Sequence, residues 1–166
     1  MASRLQAMRR ARPEDAEAVG DVFLAARAHA MPYLSDLHTD EETRAWIRDV
    51  VLGEHDVRVV DVDGAVVGFV ALGAETVEHL YVRPDLQGKG IGSALLGLAK
   101  ELRAEGFRLW VFQQNLGARR FYERHGLRLV ELTDGDANEE REPDALYEWR
   151  PLNPVRPGRP SPRAAP

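Results

Sequence analysis

The stretch LYVRPDLQGKGIGSALL, Leu80 to Leu96, decides the fold. Leu80, Tyr81 and Val82 read as the end of a β-strand. Pro84 stops it, because proline offers no N–H to a ladder and restricts the residue before it. Gln87, Gly88, Lys89, Gly90, Ile91, Gly92 and Ser93 follow. From Ile91 the apolar spacing is helical: Ile91, Ala94, Leu95, Leu98, Ala99 and Leu102 share one face. A glycine loop that runs into a helix lets backbone N–H groups approach a ligand and aims the positive end of the helix dipole at it. This combination makes an anion site, most often for phosphate.

Two familiar phosphate-binding patterns fail on the residues. A dinucleotide fold needs G-x-G-x-x-G and an acid about 20 residues later. Here Ser93 replaces the third glycine, and the next strand ends in Val111, Phe112 and Gln113. A P-loop needs Ser or Thr directly after Gly-Lys, whereas Lys89 is followed by Gly90. The pattern that fits is Gln87-x-x-Gly90-x-Gly92 after Leu80-Tyr81-Val82-x-Pro84. It resembles the pyrophosphate loop of the Gcn5-related N-acetyltransferases (GNAT), which bind acetyl-coenzyme A. A second segment, Asn115-x-x-Ala118-x-x-Phe121-Tyr122-Glu123-x-x-Gly126-Leu127, is similar to the family's other cofactor segment, N-x-x-A-x-x-F-Y-x-x-x-G-F, with leucine in the last place.

The rest of the chain is consistent with one domain over residues 1–150. Its 166 residues and 44% hydrophobic content suffice for a single core. Leu5 to Arg10 reads as a strand, and Pro13 opens a helix with Val19, Val22, Phe23, Ala26 and Ala30 on its apolar face. Thr39 and Glu42 have capping-box spacing for a second helix that Gly53 ends. Val57–Val62 and Ala65–Leu72 flank Asp63-Gly64, a two-residue hairpin signal. Thr76–Val82 is the strand before the glycine loop. Leu109–Phe112 reads as a short buried strand and Leu116–His125 as a short helix. Leu127–Leu132 and Leu146–Trp149 are the last strands. The fold class is α/β, an α+β arrangement with a mixed sheet in the order β-α-α-β-β-β-α-β-α-β-β, which is the order of the GNAT fold. Residues 151–166 hold six of the ten prolines and read as a disordered tail rich in Pro and Arg.

The resemblance assigns roles by position. The strands Thr76–Val82 and Leu109–Phe112 would splay, with the pantetheine arm between them against the backbone of Leu80, Tyr81 and Val82. Amides of Gln87, Gly88, Lys89, Gly90, Ile91, Gly92 and Ser93 would hold the pyrophosphate, the Lys89 charge assisting. Asn115 would hydrogen-bond the pantetheine arm, and Phe121 would pack in the core or beside the cofactor. A backbone N–H near Leu80 or Tyr81 would face the developing oxyanion. Tyr122 would be the general acid for the departing thiolate.

The attacking amine must be neutral, although an alkyl amine has a pKa near 10, so a base is wanted. Alternation puts Thr76, Glu78 and Leu80 on one strand face, which makes Glu78 the candidate base and sends His79 to pack under a helix. His38 is a second candidate base. Asp134, Asp136, Glu139, Glu140, Glu142 and Asp144 form an acidic loop, either a solvated run or a rim that draws in a cationic amine.

Net charge is −5, and the tail adds Arg156, Arg159 and Arg163 with no acid, so the body is more acidic still. Nucleic acid is not an expected partner. No apolar run reaches membrane-span length and the N-terminus lacks a signal-peptide core, so no membrane is expected and the location reads as cytoplasmic. The chain has no cysteine, and its five histidines lack metal-ligand spacing; no metal is expected. The expected partners are acetyl-CoA and a small-molecule amine acceptor, with a homodimer as an option. Two other readings stay open: a peptide or protein acceptor, decided by the loops at 31–39 and 135–143, and a non-catalytic acyl-CoA sensor, which turnover with any amine would exclude.

Overall fold

A computed structural model describes residues 6–152; the expected strand start at Leu5 and the tail from residue 153 onward lie outside the described residues. Strand β1 (Gln6–Arg10) leads through a 3-10 turn at Pro13–Asp15 into α1 (Ala16–Ala30). The Asp15 carboxylate closes that turn: it accepts from the Arg12 N–H at 2.7 Å and pairs with Arg9 at 2.7 Å. Val19, Val22, Phe23 and Ala26 are buried as expected, while Ala30 is exposed.

Helix α2 (Asp40–Trp46) has the expected capping box, with Glu42 N–H on Thr39 Oγ1 at 3.2 Å and Thr39 N–H on Glu42 Oε2 at 2.8 Å. It does not stop at Gly53. The helix widens into a π turn at Ile47–Val51 and continues as α3 (Leu52–Glu54). Ile47 and Val51, both fully buried, hold the chain helical past the glycine.

Strands β2 (Asp56–Val62) and β3 (Ala65–Leu72) form the expected hairpin. Asp63 and Gly64 have φ of 53° and 83°, the positive values that a two-residue turn requires, and Gly64 N–H donates to Asp61 Oδ1 at 2.7 Å. Strand β4 (Val77–Val82) precedes α4 (Ile91–Leu102); β5 (Phe107–Phe112), α5 (Leu116–Arg124), β6 (Arg128–Leu132) and β7 (Asp144–Trp149) complete the order. The element order is the one expected. The mixed sheet is two antiparallel sheets, β1-β2-β3-β4 and β5-β7-β6, joined by one parallel bridge between Thr76 and Arg108.

Two cores flank the first sheet. Phe23, Ile47 and Val51 pack with Val57, Val59, Phe69 and Ala71 on the α1 side. Leu95, Leu96, Ala99, Phe107 and Tyr147 pack with Val60, Val70 and Leu72 on the α4 side. The apolar face of α4 is turned slightly from the expected one: Leu96 is buried, while Ala94 and Leu98 are only half-buried. Strand β5 is not buried on both faces. Phe107, Leu109 and Val111 point inward, and Trp110 is 54% exposed.

The β3–β4 pairing carries a bulge. Ala71 pairs with His79 and Leu72 with Val77, so Glu78 has no partner across the ladder. The bulge resets the alternation. Val77, Leu80 and Val82 all join the α4-side core, whereas His79 and Tyr81 meet Phe23 of α1 edge-to-face at 5.8 and 5.2 Å. Thr76, Glu78 and Leu80 therefore do not share a face.

His79 packs under a helix, as expected, with Trp46 of α2 also 5.2 Å away. Burial lowers its pKa from 6.5 to about 4, with the neighbouring Glu78 charge opposing. The unfolded chain therefore binds a proton at His79 that the folded chain refuses between pH 6.5 and about 4. Stability from this residue is present above pH 6.5 and is lost as the solution is acidified through that window, by up to about 3 kcal/mol. His79→Phe should flatten the acid limb of the stability curve measured by urea unfolding. Parallel curves for the two proteins would contradict this.

Candidate active site

Beyond the Thr76–Arg108 bridge, β4 and β5 diverge and open a cleft. Strand polarity decides which backbone groups face it. Arg83 N–H bonds Val67 O at 2.8 Å, and hydrogen-bonded pairs alternate along an antiparallel ladder. Tyr81 and His79 thus spend their N–H and C=O groups on Phe69 and Ala71 of β3. Leu80 and Val82 turn theirs toward β5. Of the three residues expected to hold a pantetheine arm, Leu80 and Val82 offer backbone groups and Tyr81 offers only its side chain. The Val82 carbonyl is in turn covered by Gln87 Nε2 at 3.1 Å. The N–H available for an oxyanion is that of Leu80.

The glycine loop has the geometry of an anion cradle. Gly88 and Gly90 have φ of 75° and 87°, and a Cβ at either would meet nothing within 4 Å. Gly90 caps α4, and Ala94 is the first residue to bond back, to Gly90 O at 3.0 Å. The N–H groups of Ile91, Gly92 and Ser93 are left pointing out of the helix end. Gln87 differs from the expectation, since its own N–H leans on Pro84 O at 3.4 Å. Lys89 is exposed on the loop, the Ile91 side chain is buried in the core, and Ser93 Oγ lies 3.0 Å from Nε2 of His125, the C-cap of α5.

From this loop a groove of about 740 Å³ runs along Leu80–Val82 to Asn115, Ala118, Phe121 and Tyr122. Asn115 is the N-cap of α5: its Oδ1 accepts from Ala118 N–H at 3.2 Å. Its Nδ2 remains as the group that can donate to a ligand. Phe121 packs on the core and lines the groove, 3.5 Å from the Cβ position of Gly92. Tyr122 is buried at 8% exposure in the α4-side core, and no hydrogen bond ties its hydroxyl among the described residues. Burial, and then the nearby Tyr81, push its pKa well above the ordinary tyrosine value, so it stays protonated.

On the α1 side a second cavity of about 450 Å³ continues the cleft, and Glu78 and His79 line its β4 wall. The Thr76 hydroxyl donates to Glu78 Oε1. A Cβ at Gly73 would crowd Thr76 Oγ1 and stand 3.1 Å from that carboxylate, so the glycine leaves the pair its room. The acidic loop is less free than a solvated run. Glu140 is ion-paired with Arg27 of α1, and Glu139 Oε1 lies 2.5 Å from His38 Nε2. These contacts fasten the loop over the α1–α2 connection. His38 is engaged there and does not line the cavity. Asp144 accepts from Thr133 Oγ1 and from Asn138 Nδ2 at 2.9 Å. The sequence reading missed Arg27, since pairing across 113 residues leaves no local signal.

Leu80, Tyr81, Asn115, Ala118 and Tyr122 border both cavities, which makes them one continuous cleft. Residues 53–128 match the family described as the acetyltransferase (GNAT) domain. L-amino acid N-acyltransferase MnaT of Escherichia coli is 33% identical over 99 residues, covering 54% of this chain and 58% of that protein. The match thus spans about three fifths of that relative's length. Among solved structures, apo YjaB from Escherichia coli has a TM-score of 0.73 at 23% identity, covering 87% of this chain and 97% of the other. The PaiA N-acetyltransferase of Thermoplasma acidophilum, solved in complex with coenzyme A, has a TM-score of 0.68 at 20% identity, covering 88% and 99%. These structural likenesses speak for the fold. The family match falls on the stretch that holds the cradle, the splayed strands and Tyr122, and over that stretch, a little under half of the chain, the protein is similar to the GNAT acetyltransferase domain.

Proposed function

We propose that this protein transfers an acetyl group from acetyl-CoA to a primary amine, with a small cationic amine as acceptor, by direct attack in a ternary complex. The observation that carries the reading is the single cleft, with an anion cradle at one end and Glu78 at the other, its two parts sharing Leu80 and Tyr122 as walls. Bound acetyl-CoA would supply an activated thioester. The N–H groups of Ile91, Gly92 and Ser93 would hold its pyrophosphate, and Asn115 Nδ2 with the Leu80 and Val82 edge would orient its arm. Glu78 takes a proton from the incoming ammonium. The neutral nitrogen then forms the C–N bond, and the Leu80 N–H meets the negative charge growing on the carbonyl oxygen. As the C–S bond breaks, Tyr122 would give its proton to the sulfur, and the second proton that the nitrogen sheds in becoming an amide would restore the phenol, while Glu78 releases the first to solvent. With no cysteine in the chain, no thiol is present to carry the acyl group.

The test is thiol release from acetyl-CoA across alkylamines, polyamines, aminoglycosides and peptides. Amine-dependent release supports the reading. Coenzyme A binding with no release by any acceptor would leave a sensor instead. Glu78→Gln keeps the shape and removes the base. Its kcat/KM should fall by about 10²-fold at neutral pH and recover in part at high pH, where more amine is already neutral. A pH profile parallel to the wild type would place the base elsewhere.

A further inference from the structure

The α1-side cavity has a one-sided chemistry. Its wall carries three carboxylates, Glu78, Glu140 and Asp144, and among the described residues no lysine or arginine lines it. The Arg27 guanidinium stands behind this wall, ion-paired with Glu140 and 5.7 Å over the Phe23 ring. Asp144 is satisfied by Thr133 and Asn138. Among the described residues Glu78 bonds only the Thr76 hydroxyl, a neutral partner. Beside these acids the cavity is apolar, bounded by Met31, Leu80, Val111 and Phe112. Trp110 stands at the β5 edge of the same cavity, 54% exposed, with Leu146 beside it across the β5–β7 ladder.

We propose that the acceptor is a primary amine borne on an apolar or aromatic body without a carboxylate, and that Trp110 selects for that body. This rests on the N-acetyltransferase reading above and adds the substrate class. A carboxylate on the acceptor would face Glu78 and Asp144, two carboxylates without an ion-pair partner among the described residues, while the Arg27 guanidinium is already paired with Glu140. A protonated amine meets Glu78 and is welcomed by the same charges. An exposed indole at the rim offers a flat apolar surface, and stacking against an aromatic is worth about a tenfold change in affinity. The contrast is with a relative such as MnaT, whose name specifies L-amino acids as acceptors.

The experiment compares matched pairs, phenethylamine with phenylalanine and tryptamine with tryptophan, in thiol release and in calorimetric binding to the protein saturated with coenzyme A. The decarboxylated member of each pair should show kcat/KM about 100-fold higher, as like charges and an unpaired carboxylate both act against the amino acid. Trp110→Ala should raise KM for phenethylamine about tenfold and leave kcat and the KM for butylamine nearly unchanged. Amino acids turned over as well as their amines, or a Trp110→Ala effect equal on phenethylamine and butylamine, would overturn the proposal. The calorimetry separates the two readings. If phenethylamine binds, phenylalanine does not, and no thiol is released, then the catalytic reading fails while the selectivity stands. If neither binds, the selectivity fails as well.

Discussion

Tyr122→Phe lowers kcat by about 10²–10⁴-fold, the usual worth of a positioned proton donor, and leaves the affinity for acetyl-CoA nearly unchanged. The substitution is clean because the ring belongs to the core and the hydroxyl does not. The phenyl group that packs on the α4-side core is retained, while the oxygen removed has no hydrogen-bond partner among the described residues. Thermal stability should therefore stay close to wild type, which separates a chemical loss from a folding loss. The upward-shifted pKa adds a second expectation. The pH profile should show no basic limb from this residue below about pH 10, the ordinary tyrosine value, because the phenol stays protonated there. An unchanged kcat would mean that solvent protonates the thiolate and that Tyr122 only packs.

Gly90→Glu abolishes binding of coenzyme A. Gly90 sits at φ 87° as the cap of α4, a conformation that costs an L-residue about 1–2 kcal/mol. The larger effect is electrostatic. A carboxylate would stand where the N–H groups of Ile91, Gly92 and Ser93 converge and would occupy the phosphate's place as a built-in competitor. Wild-type protein at about 100 times the dissociation constant should gain roughly 2.7 kcal/mol from coenzyme A, read as a rise in Tm, and NAD or ATP should give none. Gly90→Glu should show no rise with any of the three. Gly90→Ala imposes the strain without the charge and should keep a weakened response. A wild-type response from Gly90→Glu would move the phosphate site away from this loop.

Local chemistry made much of this fold legible. The Asp63-Gly64 turn, the Thr39–Glu42 box and the glycines before α4 each act within a few residues, and all three stand where the residues indicated. The features that were not legible come from long-range pairing. The bulge at Glu78 arises from the register of β3 against β4, so simple alternation set Leu80 on the wrong face relative to Glu78. Gly53 reads as a stop, but buried Ile47 and Val51 carry the helix through it. The apolar run of β5 read as a short buried strand, whereas its residues alternate between buried and exposed and Trp110 lies on the open side. The acidic loop showed its charge in the sequence but not its partners, Arg27 and His38. Asn115 and Tyr122 were singled out by the resemblance of their segment to a family's cofactor segment, and the structure places both on the wall of the cleft. That Asn115 must also cap α5, leaving only its Nδ2 for a ligand, needed the structure.

The central claim is that one cleft brings an acetyl thioester and an amine together for direct transfer. Its most direct test supplies acetyl-CoA with an isotope-labelled acetyl group and phenethylamine, and follows the label by NMR. The label should move from thioester to amide, with one free coenzyme A thiol appearing for each amide formed. Label that remains in the thioester, or that appears as free acetate at the same rate with and without the amine, would contradict the account.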